Sequence, residues 1–95
     1  MDFLKELGID DETITKINEN NLPSVIRQFI SDRENVKKII KYMQEVGIQV
    51  VDDLLIRRIE IFSIDYDRLK NAFDNYNKEV LVALVNEDIS AINFL

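Results

Sequence analysis

The stretch YMQEVGIQ (residues 42–49) repeats the pattern of FLKELGID (residues 3–10), and together they contain the only glycines of the chain, Gly8 and Gly47. In each stretch, apolar residues three and four positions apart precede the glycine, which is the spacing of one helix face. A glycine directly after a helix commonly takes the left-handed conformation that ends it, because glycine has no Cβ. The repeat therefore predicts two helices that end in the same way, with Gly8 and Gly47 at their C-terminal caps.

An isoleucine follows each glycine, at the position that commonly packs back on the helix it has just left. This pattern predicts a contact between Ile9 and Leu4 at the first corner, and between Ile48 and Met43 at the second. We expect the chain to turn sharply at both places into a further helix.

The composition is typical of a small folded domain with few loop-forming residues. The chain has 95 residues, of which 46% are hydrophobic and 32% charged, with two glycines and one proline. A chain of this length forms one core that buries roughly 60% of its unfolded surface. We therefore expect a single all-helical domain over residues 1–95.

Several functional classes are excluded or disfavoured by what the sequence lacks. Cysteine and histidine are absent, which excludes disulfides, His/Cys zinc sites and catalysis by imidazole or thiolate. No glycine-rich phosphate loop or nucleophile motif occurs. The start has no signal-peptide pattern, and the longest apolar run, VLVALV (residues 80–85), is shorter than the roughly 20 residues of a membrane span. We expect a cytoplasmic, non-enzymatic protein without metal or cofactor and without a membrane association.

Helix starts are indicated by capping residues. Asp10 is predicted to cap a helix that begins at residue 11, and Asn77 to cap one that contains VLVALV. Pro23 suits the first turn of a short helix. Ser31 and Glu34 fit a capping box, with Ser31 as the N-cap of the next helix.

Apolar spacing indicates how these helices pack. An apolar stripe runs along the helix that follows Ser31, formed by Val36, Ile39, Ile40, Met43 and Val46. Residues 49–62 are predicted to form one helix with two apolar faces, placed centrally in the fold. The run at 80–85 is interpreted as a buried helix, because no partner strand is evident for it.

The chain also repeats on a longer scale. A shift of 33 residues superposes Phe29 on Phe62 and Val36 on Leu69. Periods of roughly 33 to 39 residues are typical of helical repeats, whose units stack to bury their apolar faces. We expect about six or seven short helices, arranged as two to two-and-a-half units over residues 3–40 and 41–79 with a helical cap at 78–95, as a compact or superhelical bundle.

The segment IIKYMQEVGIQVVDDLLIRRIEIFSIDYDRLKNAF (residues 39–73) resembles one repeat of the mitochondrial transcription termination factor (mTERF) family. FLKELGIDDETITKINENNLPSVI (residues 3–26) resembles another, with Leu22-Pro23 in the place of the family's proline, whereas Ile59 occupies that place in the second unit. Members of the family are all-helical right-handed superhelices that bind nucleic acid through a basic groove. The resemblance implies an mTERF-like fold and nucleic-acid binding.

Basic residues cluster in the middle of the chain. The candidates for contact with nucleic acid or another partner are Arg27, Arg33, Lys37, Lys38, Lys41, Arg57 and Arg58. The alternative is that the lysines form only the solvated face opposite the apolar stripe. A net charge of −6 disfavours nucleic-acid binding, which relies on a basic surface that displaces counterions from phosphates.

Acidic residues offer weaker candidates for chemistry. The pairs Asp10-Asp11 and Asp52-Asp53 have the residue type of an acid–base or metal site, but both fall at predicted helix starts. Asp65-Tyr66-Asp67 resembles the start of a calcium loop without its glycine and final glutamate, and it too is interpreted as a helix start.

The remaining candidates concern protein partners. The acidic ends of the chain could engage a basic surface or only secure solubility, and the C-terminal INFL (residues 92–95) could dock on a partner or on the domain's own core. The sequence thus predicts a non-catalytic protein-interaction module with an unknown protein partner. An mTERF-like nucleic-acid-binding protein is the alternative.

Overall fold

Seven α-helices and two 3₁₀ segments, without a strand, make up residues 1–94 of the computed structural model, which describes all of the chain except Leu95 and the side chain of Phe94. The prediction for Phe94 and Leu95 at the C-terminal tail therefore lies outside the described residues. The elements are α1 (Asp2–Glu6), α2 (Asp11–Asn20), α3 (Pro23–Ser31), α4 (Arg33–Glu45), α5 (Val51–Arg57), a 3₁₀ segment (Ile59–Ser63), α6 (Tyr66–Asn75), α7 (Lys78–Glu87) and a second 3₁₀ segment (Ile89–Phe94). The prediction of an all-α bundle is confirmed.

Both glycine corners have the predicted left-handed geometry, with φ of 87° at Gly8 and 95° at Gly47. At the first corner the Gly8 N–H donates to the Lys5 carbonyl at 3.0 Å, and the Ile9 N–H donates to the Leu4 carbonyl at 3.0 Å. These two bonds define a Schellman motif, which satisfies carbonyls that the end of the helix would otherwise leave unpaired.

The second corner repeats the same pair of bonds. The Gly47 N–H donates to the Gln44 main-chain carbonyl at 3.3 Å, and the Ile48 N–H donates to the Met43 carbonyl at 2.9 Å. Ile48 and Met43 are both buried, as are Ile9 and Leu4 at the first corner. Each corner thus ends a helix and places an isoleucine in the core.

Two of the predicted N-caps are confirmed and one is wrong. The Thr13 N–H donates to the Asp10 carboxylate at 2.8 Å, and the Val80 N–H donates to the Asn77 side chain at 3.3 Å. Ser31, however, is the last residue of α3 and caps nothing.

The capping box fails because α3 and α4 are joined almost without interruption. The Asp32 N–H still donates to the Gln28 carbonyl at 3.0 Å, and the Asp32 carbonyl accepts from Val36 at 3.0 Å. Asp32 departs only modestly from helical dihedral angles, at φ −91° and ψ 16°. Hydrogen bonding that continues through this bend leaves little for a serine cap to satisfy.

The helix predicted over residues 49–62 is shorter than expected. It ends at Arg57, because Arg58 leaves the helical region at φ −134° and ψ 45°, and the chain continues as the 3₁₀ segment Ile59–Ser63. Three apolar side chains of that segment, Ile59, Ile61 and Phe62, are buried. The change of helix type allows closely spaced apolar residues to enter the core.

Helix α4 lies at the centre of the core. It packs against α6, the first 3₁₀ segment, α1, α3 and α5. Four residues of its predicted stripe are fully buried, namely Val36, Ile39, Ile40 and Met43, whereas Val46 is half-buried. The predicted burial of Phe3 and Tyr42 is also confirmed.

The 33-residue correspondence holds in the core until the end of α6. Phe29 and Phe62 are both buried, and their rings meet edge to face at 6.4 Å. The same shift pairs buried Met43 with Tyr76, which is 46% exposed at the C-terminal end of α6. The two segments therefore share a core-facing pattern but differ where the second one ends.

Amide side chains from later helices hold both glycine corners. Gln44 donates to the Leu7 carbonyl at 2.9 Å. Asn86 donates to the Gly47 carbonyl at 3.0 Å and accepts from the Gln49 N–H at 2.7 Å. These contacts join residues 37 to 39 positions apart in the sequence.

Asn35 makes the same kind of two-point contact at the start of α6. Its side chain donates to the Ile64 carbonyl at 2.8 Å and accepts from the Tyr66 N–H at 3.0 Å. Asp65, the residue before the helix, makes no side-chain capping bond there. The N-terminal cap of α6 thus comes from α4.

Replacing Gly47 by alanine is expected to lower the free energy of unfolding by about 1 kcal/mol. No atom outside the corner lies within 4 Å of the added Cβ, so the cost arises from the left-handed backbone alone. Gly47→Asn is the matched comparison and should cost less, because asparagine tolerates this conformation. Urea unfolding measures both, and an unchanged or raised stability of Gly47→Ala would contradict the assignment.

Replacing Asn35 by alanine is expected to destabilise the protein by about 1–3 kcal/mol, since it leaves the partly buried Tyr66 N–H and Ile64 carbonyl without their partner. Asn71→Ala, on the exposed side of α6, serves as the control and should change stability by no more than about 0.5 kcal/mol. Equal thermal midpoints for the two variants would show that Asn35 does not cap α6.

Candidate interaction surfaces

A shallow groove of about 320 Å³ lies between α4 and α6 and contains two of the predicted basic residues. It is lined by Lys38, Lys41, Tyr42, Glu45, Tyr66 and Asp67. Because α4 presents Lys38 and Lys41 three positions apart, both lysines reach the same side of the helix. The structure therefore brings these two candidates together.

Tyr42 connects this groove with the core. The residue is 6% exposed, and its ring meets the rings of Tyr66 and Phe73 edge to face, at centroid distances of 6.0 and 5.8 Å. Its hydroxyl is buried and has no hydrogen-bond partner among the described residues. Burial raises the pKa of the Tyr42 hydroxyl, with smaller contributions from Asp74 and Tyr66, so this group stays protonated at neutral pH.

The charges in the groove are balanced rather than basic. Lys38 and Lys41 lie beside Glu45 and Asp67, and all four side chains belong to exposed residues. Opposite charges at this spacing cancel much of the field beyond a few ångströms. The groove offers hydrogen bonds and ion pairs of both signs, together with two aromatic rings.

The other predicted basic residues occupy separate positions. Lys37 pairs with Glu34 at 3.7 Å, and Arg33 donates to the Ile30 carbonyl at 3.5 Å. Arg27 is exposed on α3, and Arg57 is exposed at the end of α5. Their role in partner contact stays a prediction.

Arg58 is half-buried and near enough to Asp88, the residue that follows α7, for its charge to act on that carboxylate. The Asp88 carboxylate accepts hydrogen bonds from the Ser90 hydroxyl at 2.6 Å and from the Ser90 N–H at 3.0 Å. These bonds lower the pKa of Asp88, and the charge of Arg58 lowers it further.

The predicted carboxylate pairs contribute structural contacts. Asp10 caps α2, and Asp11 forms an ion pair with Lys5 at 3.0 Å. Asp52 accepts a long hydrogen bond of 3.4 Å from the Thr13 hydroxyl, which links α5 to α2. Across residues 1–94, no group of three potential metal ligands comes together.

Helix α7 is apolar on both sides, and only one side is covered. Leu81, Val82 and Val85 are buried. The opposite side carries the α7 stripe, formed by Val80, Ala83 and Leu84, with Val80 48% and Leu84 39% exposed. The prediction of a helix here is confirmed, but the prediction that it is buried is wrong for this side.

A second exposed apolar row runs along α3. The α3 stripe consists of Ile26 and Ile30 on α3 together with Leu22, the N-cap residue that precedes the helix with an extended backbone. Leu22 is 70% and Ile30 37% exposed, and Ile26 is half-buried. Ile26 and Ile30 lie one turn apart on the same side of the helix. Sequence inspection missed both stripes, although the apolar run all round α7 is a signal of a helix that needs partners on every side.

Within residues 1–94, none of the helices combines the length and the apolar content that crossing a bilayer requires.

Comparisons with known proteins find similarity to short segments of long proteins. The chain is 34% identical over 85 residues to the active breakpoint cluster region-related protein of Xenopus laevis. It is 31% identical over 85 residues to the breakpoint cluster region protein of Homo sapiens and to that of Mus musculus. The matches cover 90% of the chain but only 6% to 8% of the length of these relatives. No protein-family profile and no solved structure matches the chain.

Proposed function

We propose that this chain is a non-catalytic helical protein-interaction module and that the α7 stripe is its docking surface. The observation that carries the proposal is that α7 leaves Val80 and Leu84 exposed at 48% and 39%, on a helix whose other side is already buried in the core. A helix that is apolar all round is normally covered on all sides.

Exposure of the α7 stripe to water carries a free-energy cost. Each square ångström of apolar surface removed from water contributes roughly 25 cal/mol, so covering the α7 stripe is favourable for any partner of matching shape. Exposed apolar residues that are contiguous, and not scattered singly, commonly mark binding sites. An α-helical ridge is a recurring element of protein recognition.

The relatives support a modular role. A similarity that covers most of this chain and less than a tenth of each relative is expected when a small helical unit is used inside much larger proteins. Such a unit contributes contacts to other parts or partners more readily than it contributes an independent active site.

Affinity capture with matched baits tests the proposal. A protein retained by the wild-type chain should be lost with Leu84→Lys, because a lysine in the α7 stripe carries a charge into the contact. Val25→Lys is the control, since Val25 has a similar exposure of 37% but lies outside both stripes. Equal retention by all three baits would contradict the proposal, as would a bait that is monomeric and retains no protein.

Nucleic-acid binding is the second candidate function. It is favoured by Lys38 and Lys41, which share a groove with the rings of Tyr42 and Tyr66. Lysines contact phosphates, and an aromatic ring at the surface can stack on an unpaired base. Tyr66 is half-buried and offers such a ring, whereas Tyr42 is buried beneath it. The resemblance to mTERF repeats is consistent with this reading, whereas the net charge of −6 opposes it.

A titration of labelled single-stranded and double-stranded DNA and RNA tests this candidate. Binding should appear at about micromolar protein in low salt and weaken steeply as the salt concentration rises. Lys38→Glu combined with Lys41→Glu should abolish it, whereas Lys16→Glu, a charge reversal on an exposed residue of α2 outside the groove, should weaken it only slightly. Absence of salt-sensitive binding would remove nucleic acid as a partner.

A further inference from the structure

We propose that the partner of the α7 stripe is a second copy of this chain, which contributes its α3 stripe in a head-to-tail contact. This inference rests on the proposed function, because it names the partner of the same docking surface.

The two stripes match in form. Val80 and Leu84 on α7, like Ile26 and Ile30 on α3, are spaced four residues apart, so each pair belongs to a ridge of the i±4 type, and Leu22 adds apolar surface directly before α3. Ridges of this type interdigitate when two helices cross at an angle of about −50°. The exposed ends of the α3 stripe and the exposed α7 stripe are thus suited to this common helix–helix contact.

The charges beside the stripes are of opposite sign. By helical geometry Glu79 and Glu87 border the α7 stripe, and Arg27 borders the α3 stripe. All three side chains are exposed, and none forms an ion pair within the described part of the chain. In a contact between the stripes, Arg27 of one copy approaches the glutamates of the other.

The same charges disfavour a symmetric contact. Pairing α7 with α7 would bring glutamates together, and pairing α3 with α3 would bring the two Arg27 side chains together. Like charges across a contact are destabilising, and they select against the wrong partner. The unlike pairing of α3 with α7 is the arrangement that covers both stripes and pairs their charges.

The two stripes also belong to different parts of the fold, so one molecule can use both at once. Helix α3 packs on α4 and on the first 3₁₀ segment, whereas α7 packs on α6 and on the last 3₁₀ segment. A contact between unlike surfaces leaves one stripe of each kind free and continues into a ring or an open chain. Helical repeat proteins stack their units in the same end-to-end manner.

The contact is small, and we expect weak association. Helix α7 has ten residues and is about 15 Å long, so its stripe covers much less than the roughly 800 Å² per partner of a stable interface. The association should therefore depend on concentration and reverse on dilution.

Sedimentation velocity tests the inference on the purified chain at protein concentrations up to about 1 mM. At that concentration, a self-association with a Kd of about 1 mM is substantially populated. The wild type should shift from monomer toward larger species as its concentration rises. Leu84→Lys, which blocks α7, and the pair Leu22→Lys with Ile30→Lys, which blocks α3, should each remain monomeric. Val25→Lys should behave as the wild type.

Mixing the two blocked variants gives the decisive result. Each retains the stripe that the other lacks, so the mixture should form a one-to-one dimer and no larger species. A monomeric wild type, association that survives either block, or a mixture that stays monomeric would overturn the inference. Circular dichroism and the thermal midpoint verify that each variant is folded, as expected for changes at exposed positions.

A charge exchange gives an independent test that does not alter the apolar residues. Arg27→Glu alone and Glu87→Arg alone should each weaken association several-fold, and the two changes combined should restore it, because the charges then pair with reversed sign. Failure of the combined variant to recover would also overturn the inference. If the protein is monomeric but retains another protein through Leu84, self-association is excluded and the proposed function remains; if it retains none, both are excluded.

Discussion

The left-handed glycine corner is the constraint on which the rest of the structure depends. At Gly8 and Gly47 the backbone takes a conformation that other residues rarely adopt, and this ends a helix within one residue. The hydrogen bonds from Ile9 to Leu4 and from Ile48 to Met43 then return the chain to the core. Two such corners fold short helices around α4, which no single long helix could accomplish.

The second corner is also hydrogen-bonded to α7. The Asn86 side chain bonds to the carbonyl of Gly47 and to the N–H of Gln49, at 3.0 and 2.7 Å. This contact joins the C-terminal part of α7 to the second corner, on a helix whose Leu81, Val82 and Val85 are buried. Because residues 80–85 of α7 are all apolar, the burial of one side leaves the α7 stripe outside. The position of the proposed docking surface thus follows from the way α7 packs.

Local patterns in the sequence predict most of the fold. The glycine corners, the Asp10 and Asn77 caps and the core face of α4 all follow from residues within one or two helical turns. The capping box at Ser31 is a local pattern too, and it fails because the helical hydrogen bonds continue through Asp32. A cap is useful only where backbone groups lack partners, and the sequence alone does not reveal that.

The interaction surfaces are harder to predict, because they depend on contacts between distant residues. The amide contacts of Gln44, Asn86 and Asn35 join residues 29 to 39 positions apart, and no spacing rule indicates them. The lack of an evident partner strand indicates that VLVALV is a helix, but the sequence does not show which of its sides the core covers. The basic cluster is visible in the sequence, and so is Glu45, which follows Lys41 by four residues on the same helix. The further balance by Asp67 appears only when α4 and α6 are packed together.

Hydrogen exchange at the second corner tests most directly whether Asn86 holds it. In the wild type, the Gln49 backbone N–H should exchange slowly although the residue is exposed, because it donates to the Asn86 side-chain oxygen at an N···O distance of 2.7 Å. In Asn86→Ala, the Gln49 amide should exchange much faster while the Ile48 amide, bonded to Met43, keeps most of its protection. Fast exchange of the Gln49 amide in the wild type would contradict the account.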